Sequence, residues 1–296
     1  MQLRFLEYFI ALAEERHFAR AAARCHVTQP TLSAGIAMLE TQLGKPLVLR
    51  DRRFIDLTPE GRAVLPHARL MVATQEDLRR EIDAAGPLRG ELRLGTIPAA
   101  MPFIGGFVGR LRTQHPELRV ALHQLSSGAI LDGIASFALD AGLTYVEDTP
   151  PPGMTATVLY EERYRFATAA AAPLGDRAGV TLAEAVAQPL CLLNDSMLNR
   201  RILDRHLARL KLAPRPVVTA DSYLALLSLV ARGDLSSIVT DSHAAFVGPD
   251  LAIRLIEIVD LPQPNRVALL VPSREPLAPL ASAAMAAARS MTVAAS

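Results

Sequence analysis

The sequence predicts an α/β fold, with an all-helical unit at the N-terminus and two small α/β lobes behind it. Apolar residues recur at helical steps of three and four as far as Ile82, and the stretch AAGPLRG at 84–90 then breaks that pattern with glycine and proline. Beyond it, short apolar runs alternate with amphipathic helices to the end of the chain, the signature of sheets covered by helices. A chain of 296 residues, 50% apolar and 21% charged, is long enough to bury a core in each unit.

The formal net charge is +1, so the whole-molecule field holds no polyanion, and any nucleic-acid contact must come from a local patch. Residues 16–53 supply one: Arg16, Arg20, Arg24, Lys45, Arg50, Arg52 and Arg53 stand against Glu40 and Asp51, an excess of five positive charges. A solvated charged face is the alternative reading of such a run. The opening MQLRFLEYFIALAEERHF is interrupted by Glu7, Glu14 and Glu15 and lacks a signal-peptide core. No uncharged apolar run is long enough for a bilayer, so a cytoplasmic protein with no membrane partner is expected. Cys25 and Cys191 are too few and too far apart for a disulfide framework, CxxC chemistry or a zinc site, and read as packed side chains.

Leu3, Leu6, Phe9, Ile10 and Ala13 mark a first helix with one buried face. A second, short helix fits Phe18 to Arg24, where alanines allow a neighbour to approach closely. HVTQP breaks the pattern, and Leu32, Ile36, Leu39 and Leu43 restart it on one stripe. Thr28 or Gln29 caps this third helix, Pro30 fits its first turn, where a missing N–H is harmless, and Gly44 stops it. Three short helices with a basic excess around the third predict a helix-turn-helix. The alternation in KPLVLRDRRFIDL adds a two-stranded wing whose arginines can lie beside phosphates.

Thr58 as cap, Pro59 at the first helical position and Glu60 in the first turn open a long helix, with Pro66 an early intrusion. Along it Val64, Ala68, Met71, Gln75, Leu78 and Ile82 follow alternating steps of four and three, a coiled-coil seam in which polar Gln75 sets register. The seam predicts a dimer contact; packing on its own chain is the alternative. After the hinge, strands fit ELRLGTI, LRVALHQLS, DAGLTYV, ERYRFATA, PLCLL, RPVVTA, LSSIVT and RVALLVP, with helices between them and a last helix near 275–289. This alternation predicts parallel sheets.

These residues match a family. FARAAARCHVTQPTLSAGIAMLETQLGKPLVLRDRRFIDLTPEG, a long helix, GELRLGTIPA and a doubled α/β region together resemble the LysR-type transcriptional regulators over essentially the whole chain. The specific positions are Ala21-Ala22, Gln29-Pro30, Leu32-Ser33, Ile36, Leu39-Glu40, Leu43-Gly44, Arg50, Leu57-Thr58 and Gly61; the C-terminal likeness is one of architecture. The resemblance implies a winged helix-turn-helix at 1–58, a dimerising linker helix at 59–86, a hinge at 87–91 and an effector-binding domain at 92–296. That domain is similar to the type II periplasmic binding proteins, with lobe I at about 92–160 and 267–296 and lobe II at about 161–266. The resemblance also implies homodimers through the linker, homotetramers, bent promoter DNA and contact with RNA polymerase, with no cofactor. The sequence departs from the family at Ala34 and Gly35, where polar residues are usual.

On this reading Gln29, Pro30, Thr31 and Ser33 face base edges, and His17, Arg20, Thr28, Arg50, Arg52 and Arg53 are phosphate candidates. The effector should lie between the lobes at strand ends, near Thr96, Ala99, Ala100, Met101, Ser126, Ser127, Asn194, Ser196, Ser222 and Thr240. Ordinary helix capping is the alternative for each hydroxyl and amide. Hydroxyls and helix termini suit a small carboxylate, and an overall likeness to regulators of formate-dehydrogenase operons suggests formate. Two rivals remain: a solute-binding protein, which leaves the basic helices unexplained, and an α/β enzyme with an unrelated helical domain. Against the enzyme, the chain has no HExxH, GxSxG, Walker-type or CxxC motif.

Overall fold

The computed structural model describes residues 2–51, 53–82, 86–247, 252–261 and 264–294. Helices α1 (Leu3–Glu15), α2 (Phe18–Arg24) and α3 (Gln29–Leu43) close around Leu6, Phe9, Leu12, Ala21, Ala22, Leu32, Ile36 and Leu39. Thr28 caps α3, its Oγ1 accepting the Thr31 N–H at 3.4 Å, and Pro30 occupies the first turn. Gly44 ends the helix in the left-handed region at φ 66°, a conformation glycine adopts without steric cost. Leu43 departs from the expected buried stripe and is exposed, since the chain turns away at the next residue. Gly35 is buried where α3 crosses α1, and a Cβ there would stand 2.6 Å from Tyr8 Cδ2. The departure at this position is therefore a packing requirement, and Gly35 does not face the solvent side of α3.

Strands β1 (Val48–Asp51) and β2 (Arg53–Leu57) pair antiparallel, with Val48 opposite Leu57. Arg52 lies outside the described residues. Glu40 on α3 ties the wing to the recognition helix, its Oε1 accepting the N–H groups of Leu47 at 2.9 Å and Val48 at 3.2 Å. Thr58 accepts the Gly61 N–H at 2.9 Å and donates to Pro46 O at 2.7 Å, starting α4 (Pro59–Ile82), which runs unbroken through Pro66.

The predicted seam on α4 divides in two. Ala68 is buried in the core of the N-terminal unit and Val64 packs against it, so these two serve their own chain. Met71, Leu78 and Ile82 are exposed and Gln75 is half-buried. The correction has a simple cause: the first turns of α4 lie across α1, and only the later turns project beyond it.

The first lobe is a five-stranded sheet of order β4-β3-β5-β13-β6. Its strands are β3 (Gly90–Thr96), β4 (Leu118–Gln124), β5 (Ala141–Tyr145), β6 (Met154–Glu162) and β13 (Asn265–Pro272). A 3-10 turn (Pro98–Ala100) leads into α5 (Met101–Gln114), and α6 (Ser127–Ala135) and α10 (Pro279–Ala294) complete the layer. The second lobe orders β11 (Ser237–Thr240), β7 (Tyr164–Ala169), β12 (Ile253–Ile258) and β8 (Gly179–Val180). Strands β9 (Cys191–Leu193) and β10 (Val218–Ala220) extend it through a Leu190–Ser236 bridge. Helices α7 (Leu182–Val186), α8 (Leu198–Arg209) and α9 (Tyr223–Ala231) belong to this lobe.

Both sheets are mixed, which corrects the parallel expectation: β13 runs antiparallel to β5 and β6, and β7 runs antiparallel to β11 and β12. The antiparallel partners arise because the chain crosses between lobes twice. It leaves the first through β6, reaches β7 after the single residue Arg163, and returns between β12 and β13.

Candidate functional site

Two surfaces stand out, one on the N-terminal unit and one between the lobes. On the first, Gln29, Pro30 and Thr31 are exposed at the start of α3 and Ser33 is half-buried beside them. The opposite face of α3 is core, so the first turn is held by burial and by its cap. The Thr31 and Thr28 hydroxyls are hydrogen-bonded to each other at 2.8 Å. His17 caps α2, its Nδ1 accepting the Arg20 N–H at 3.4 Å. A groove lined by Arg16, His17, Phe18, Arg20, Gln29, Phe54 and Ile55 brings α2, α3 and the wing together. Arg50 and Arg53 stand on β1 and β2.

The basic excess is partly neutralised within the fold. Arg20 pairs with Glu15 at 3.2 Å, Arg24 with Glu14 at 2.7 Å and Arg16 with Asp56 at 3.8 Å. All three acids lie just outside the stretch whose charge the sequence predicts to be basic. Such exposed pairs hold weakly, so a phosphate can exchange for the carboxylate.

Between the lobes lies a cleft of about 190 Å3. Ile97, Pro98 and Ala99 follow β3, Gln124 to Ser127 join β4 to α6, and Tyr145 ends β5. Leu193, Met197, Leu198 and Asn199 come from β9 and α8, and Asp221 and Tyr223 from the start of α9. The N-termini of α6, α8 and α9 thus converge on one space. Ser126 caps α6 by accepting the Ala129 N–H at 3.2 Å, and Ser222 caps α9 by accepting the Ala225 N–H at 3.4 Å. Among the described residues no side chain caps α8. Ser127 is buried, and its hydroxyl has no hydrogen-bond partner among the described residues.

Of the sequence-predicted effector residues, Ala99, Ser126 and Ser127 line this cleft, and the others do not. Thr96 is buried and donates to Ile97 O at 3.2 Å, while Ala100 is core and Met101 packs against it. Asn194 accepts the Met197 N–H through its main chain, and Ser196 belongs to the same turn. Ser222 is spent as a cap, and Thr240 bonds Ser242 at 2.8 Å and His243 Nδ1 at 2.9 Å.

Below the cleft lies a polar cluster that the sequence did not reveal. Glu162, at the end of β6, is fully buried; the Tyr145 hydroxyl bonds its Oε1 and the Ser242 hydroxyl donates to its Oε2 at 3.3 Å. Asn199 Nδ2 donates to the Tyr145 oxygen at 2.6 Å, and the Tyr164 hydroxyl donates to Asn199 O at 2.7 Å. Tyr223 stacks on His243 with centroids 3.9 Å apart. Burial pushes the Glu162 carboxyl up to about 8 despite the Tyr145 bond, and holds His243 down to about 4. The one readable signal was the two-residue step Glu162, Tyr164, Phe166, which puts the acid on the buried side of the crossing strand.

Comparison with known proteins settles the family. The bacterial regulatory helix-turn-helix description of the lysR family matches residues 3–62, and the LysR substrate binding domain matches 85–292. The chain belongs to the LysR family of transcriptional regulators. Over 140 residues it is 41% identical to the HTH-type transcriptional regulator EstR of Acinetobacter baylyi, covering 47% of this chain and 46% of EstR. The match thus spans less than half of that relative. It is 35% identical to a probable hydrogen peroxide-inducible genes activator of Mycobacterium xenopi over 58% of this chain and 92% of that one. A full-length OxyR variant from Pseudomonas aeruginosa superposes with a TM-score of 0.78 at 24% identity, covering 99% of this chain and 98% of OxyR, a likeness of fold.

For a LysR-family regulator the basic helical unit is the DNA-binding part and the lobes the effector-binding part, which neither rival reading explains. The two parts touch through an ion pair. Asp77, buried on α4, accepts from Arg80 at 2.9 Å and from Arg274, which follows β13. Within the helical unit, Arg69 on α4 reaches Glu14 on α1 at 3.1 Å. Among the described residues no helix is long and apolar enough to cross a membrane.

Proposed function

We propose that this LysR-family regulator reads promoter DNA with the first turn of α3, and that a small carboxylate in the interlobe cleft alters that reading. The observation that carries the DNA half is the exposed Gln29–Thr31 turn at the capped end of a helix whose other face is core. Gln29 bonds adenine bidentately, Pro30 and Thr31 meet thymine methyls, and Ser33 serves a base or a phosphate. His17, Arg20, Thr28, Arg50, Arg52 and Arg53 set the register on phosphates, with the free N–H groups of α3.

Three converging helix N-termini and the unpartnered Ser127 hydroxyl support an anion in the cleft, and among the described residues no lysine or arginine lines it. Ile97, Leu193 and Met197 give an apolar wall that suits a carboxylate with a carbon tail better than formate. Peroxide sensing, suggested by one relative's name, has no activated thiol to work with: burial raises the pKa of both Cys25 and Cys191.

The protomers pair through Met71, Gln75, Leu78 and Ile82, and two such dimers form a tetramer that bends the promoter and meets RNA polymerase in the cytoplasm. A ligand that binds one lobe arrangement more tightly shifts the population of that arrangement. The Asp77–Arg274 contact is a physical link from lobe to linker. The test pairs thermal-shift screening of small carboxylates with a footprint on the DNA upstream of the chain's own coding sequence. Footprint length and bend should change with a stabilising acid, and both unchanged at saturation would contradict the reading.

A further inference from the structure

Glu162 is a fully buried acid to which, among the described residues, no cationic side chain is hydrogen-bonded. Its neighbours are Tyr145 on β5, Tyr160 on its own strand, Tyr164 on β7, Tyr223 on α9, Thr240 on β11, and Asp241, Ser242 and His243 on the turn after β11. Arg205 and Asp204 on α8 act on Tyr164. Asp241 repels an ionised Glu162, and the tyrosines offer only neutral hydroxyls.

The hydrogen-bond count limits what Tyr145 can do. Its oxygen has one proton to give and two lone pairs, and Asn199 Nδ2 already occupies one of the pairs. With Glu162 ionised, the Tyr145 proton is drawn to Oε1 and none remains for the cleft. A proton placed on Glu162 Oε1 instead fills the second lone pair, and the Tyr145 O–H is then free to turn toward the cleft that its side chain lines.

We propose that Glu162 and Tyr145 form a proton-linked donor, so that an anionic ligand enters the cleft of this regulator together with one proton held on Glu162. This rests on the carboxylate reading of the cleft. Tyr145 is then a specificity residue that rewards an acceptor, and Glu162 a positioning residue that acts through it. A bound anion strengthens the effect, because its charge further disfavours ionised Glu162. The raised carboxyl pKa of about 8 puts the linkage just above neutrality.

The test uses the full-length protein and straight-chain monocarboxylates from acetate to hexanoate, with the best binder of a thermal-shift screen taken into calorimetry. Titrations from about pH 6.5 to about pH 9.5, in buffers of different ionisation enthalpy, should show affinity falling about tenfold per unit above the carboxyl pKa with uptake approaching one proton. Glu162→Gln, whose amide donates permanently to Tyr145, should bind at the low-pH level throughout. Tyr145→Phe should bind weakly throughout, with folding of both variants checked by circular dichroism. Binding that is independent of pH and buffer, or pH dependence retained in Glu162→Gln, overturns the linkage alone. Binding of none of the acids at any pH overturns the carboxylate reading and the linkage with it. A carbon-13 glutamate spectrum, assigned by the Glu162→Gln variant, should show Glu162 protonated at about pH 6.5; an ionised signal there overturns the pair whatever binds.

Discussion

The start of α3 and the floor of the interlobe cleft both present polar groups to a ligand, yet they are built in opposite ways. The α3 surface comes from one continuous stretch, with its cap at Thr28, its proline at Pro30 and its stop at Gly44, and its side chains lie in water. The cleft floor draws half-buried Tyr145 and buried Glu162, Asn199, Tyr223 and His243 from separate elements. Charge follows the same division: exposed Arg16, Arg20 and Arg24 lean on carboxylates they can leave, whereas Glu162 keeps its proton because its burial outweighs the hydroxyl hydrogen bonds that favour the anion. An exposed reader can be tuned one contact at a time, while a buried one changes as a unit.

The sharpest break between the regions is Gly35→Leu. Its side chain meets Tyr8 where even a Cβ stands at 2.6 Å, and overpacking of this kind costs about 1–3 kcal/mol. Binding to every duplex should be lost in gel shifts, while ligand-induced thermal shifts of the lobes persist. Gln29→Ala comes next and separates reading from holding: operator affinity should fall by about 1–3 kcal/mol while binding to random duplex stays level. Equal loss on both DNAs would remove Gln29 from base readout.

A third variant probes the buried side. Folded Glu162 keeps a proton that the unfolded chain releases near the ordinary carboxyl value, so its contribution to stability is lost as pH rises through about 8. Glu162→Gln should therefore melt higher than wild type at about pH 8, with the gap closing toward acid. His243 has the opposite sign, depressed to about 4, so it removes stability on acidification; it is common to both proteins and cancels in the difference. The smallest effect is expected from Arg20→Ala, which should flatten the salt dependence of DNA binding by less than a full phosphate contact, because Glu15 already holds the guanidinium.

How far the sequence was legible follows the same division. The three helices, the wing pair and the capped start of α4 are local structures, set by caps, prolines and apolar spacing that a linear reading can see. Strand β6 escaped because MTATVLYEE is only partly buried and ends in acids; β12 lies on the antiparallel return that an expectation of parallel sheets leaves out. Ala68 fitted a heptad seam as well as it fits the core of its own chain, and only the crossing of α1 and α4 distinguishes the two. Ser126 and Ser127 were readable as a helix start. Asn199 was not, because its partner Tyr145 lies 54 residues away.

Sedimentation of the full-length chain with its own upstream duplex at low ionic strength is the decisive check on whether the N-terminal unit is a paired, cationic reader of duplex DNA. Complexes carrying at least two protomers per duplex, weakening as salt rises, are expected. A chain that stays monomeric, or that binds no duplex of any sequence, would contradict it.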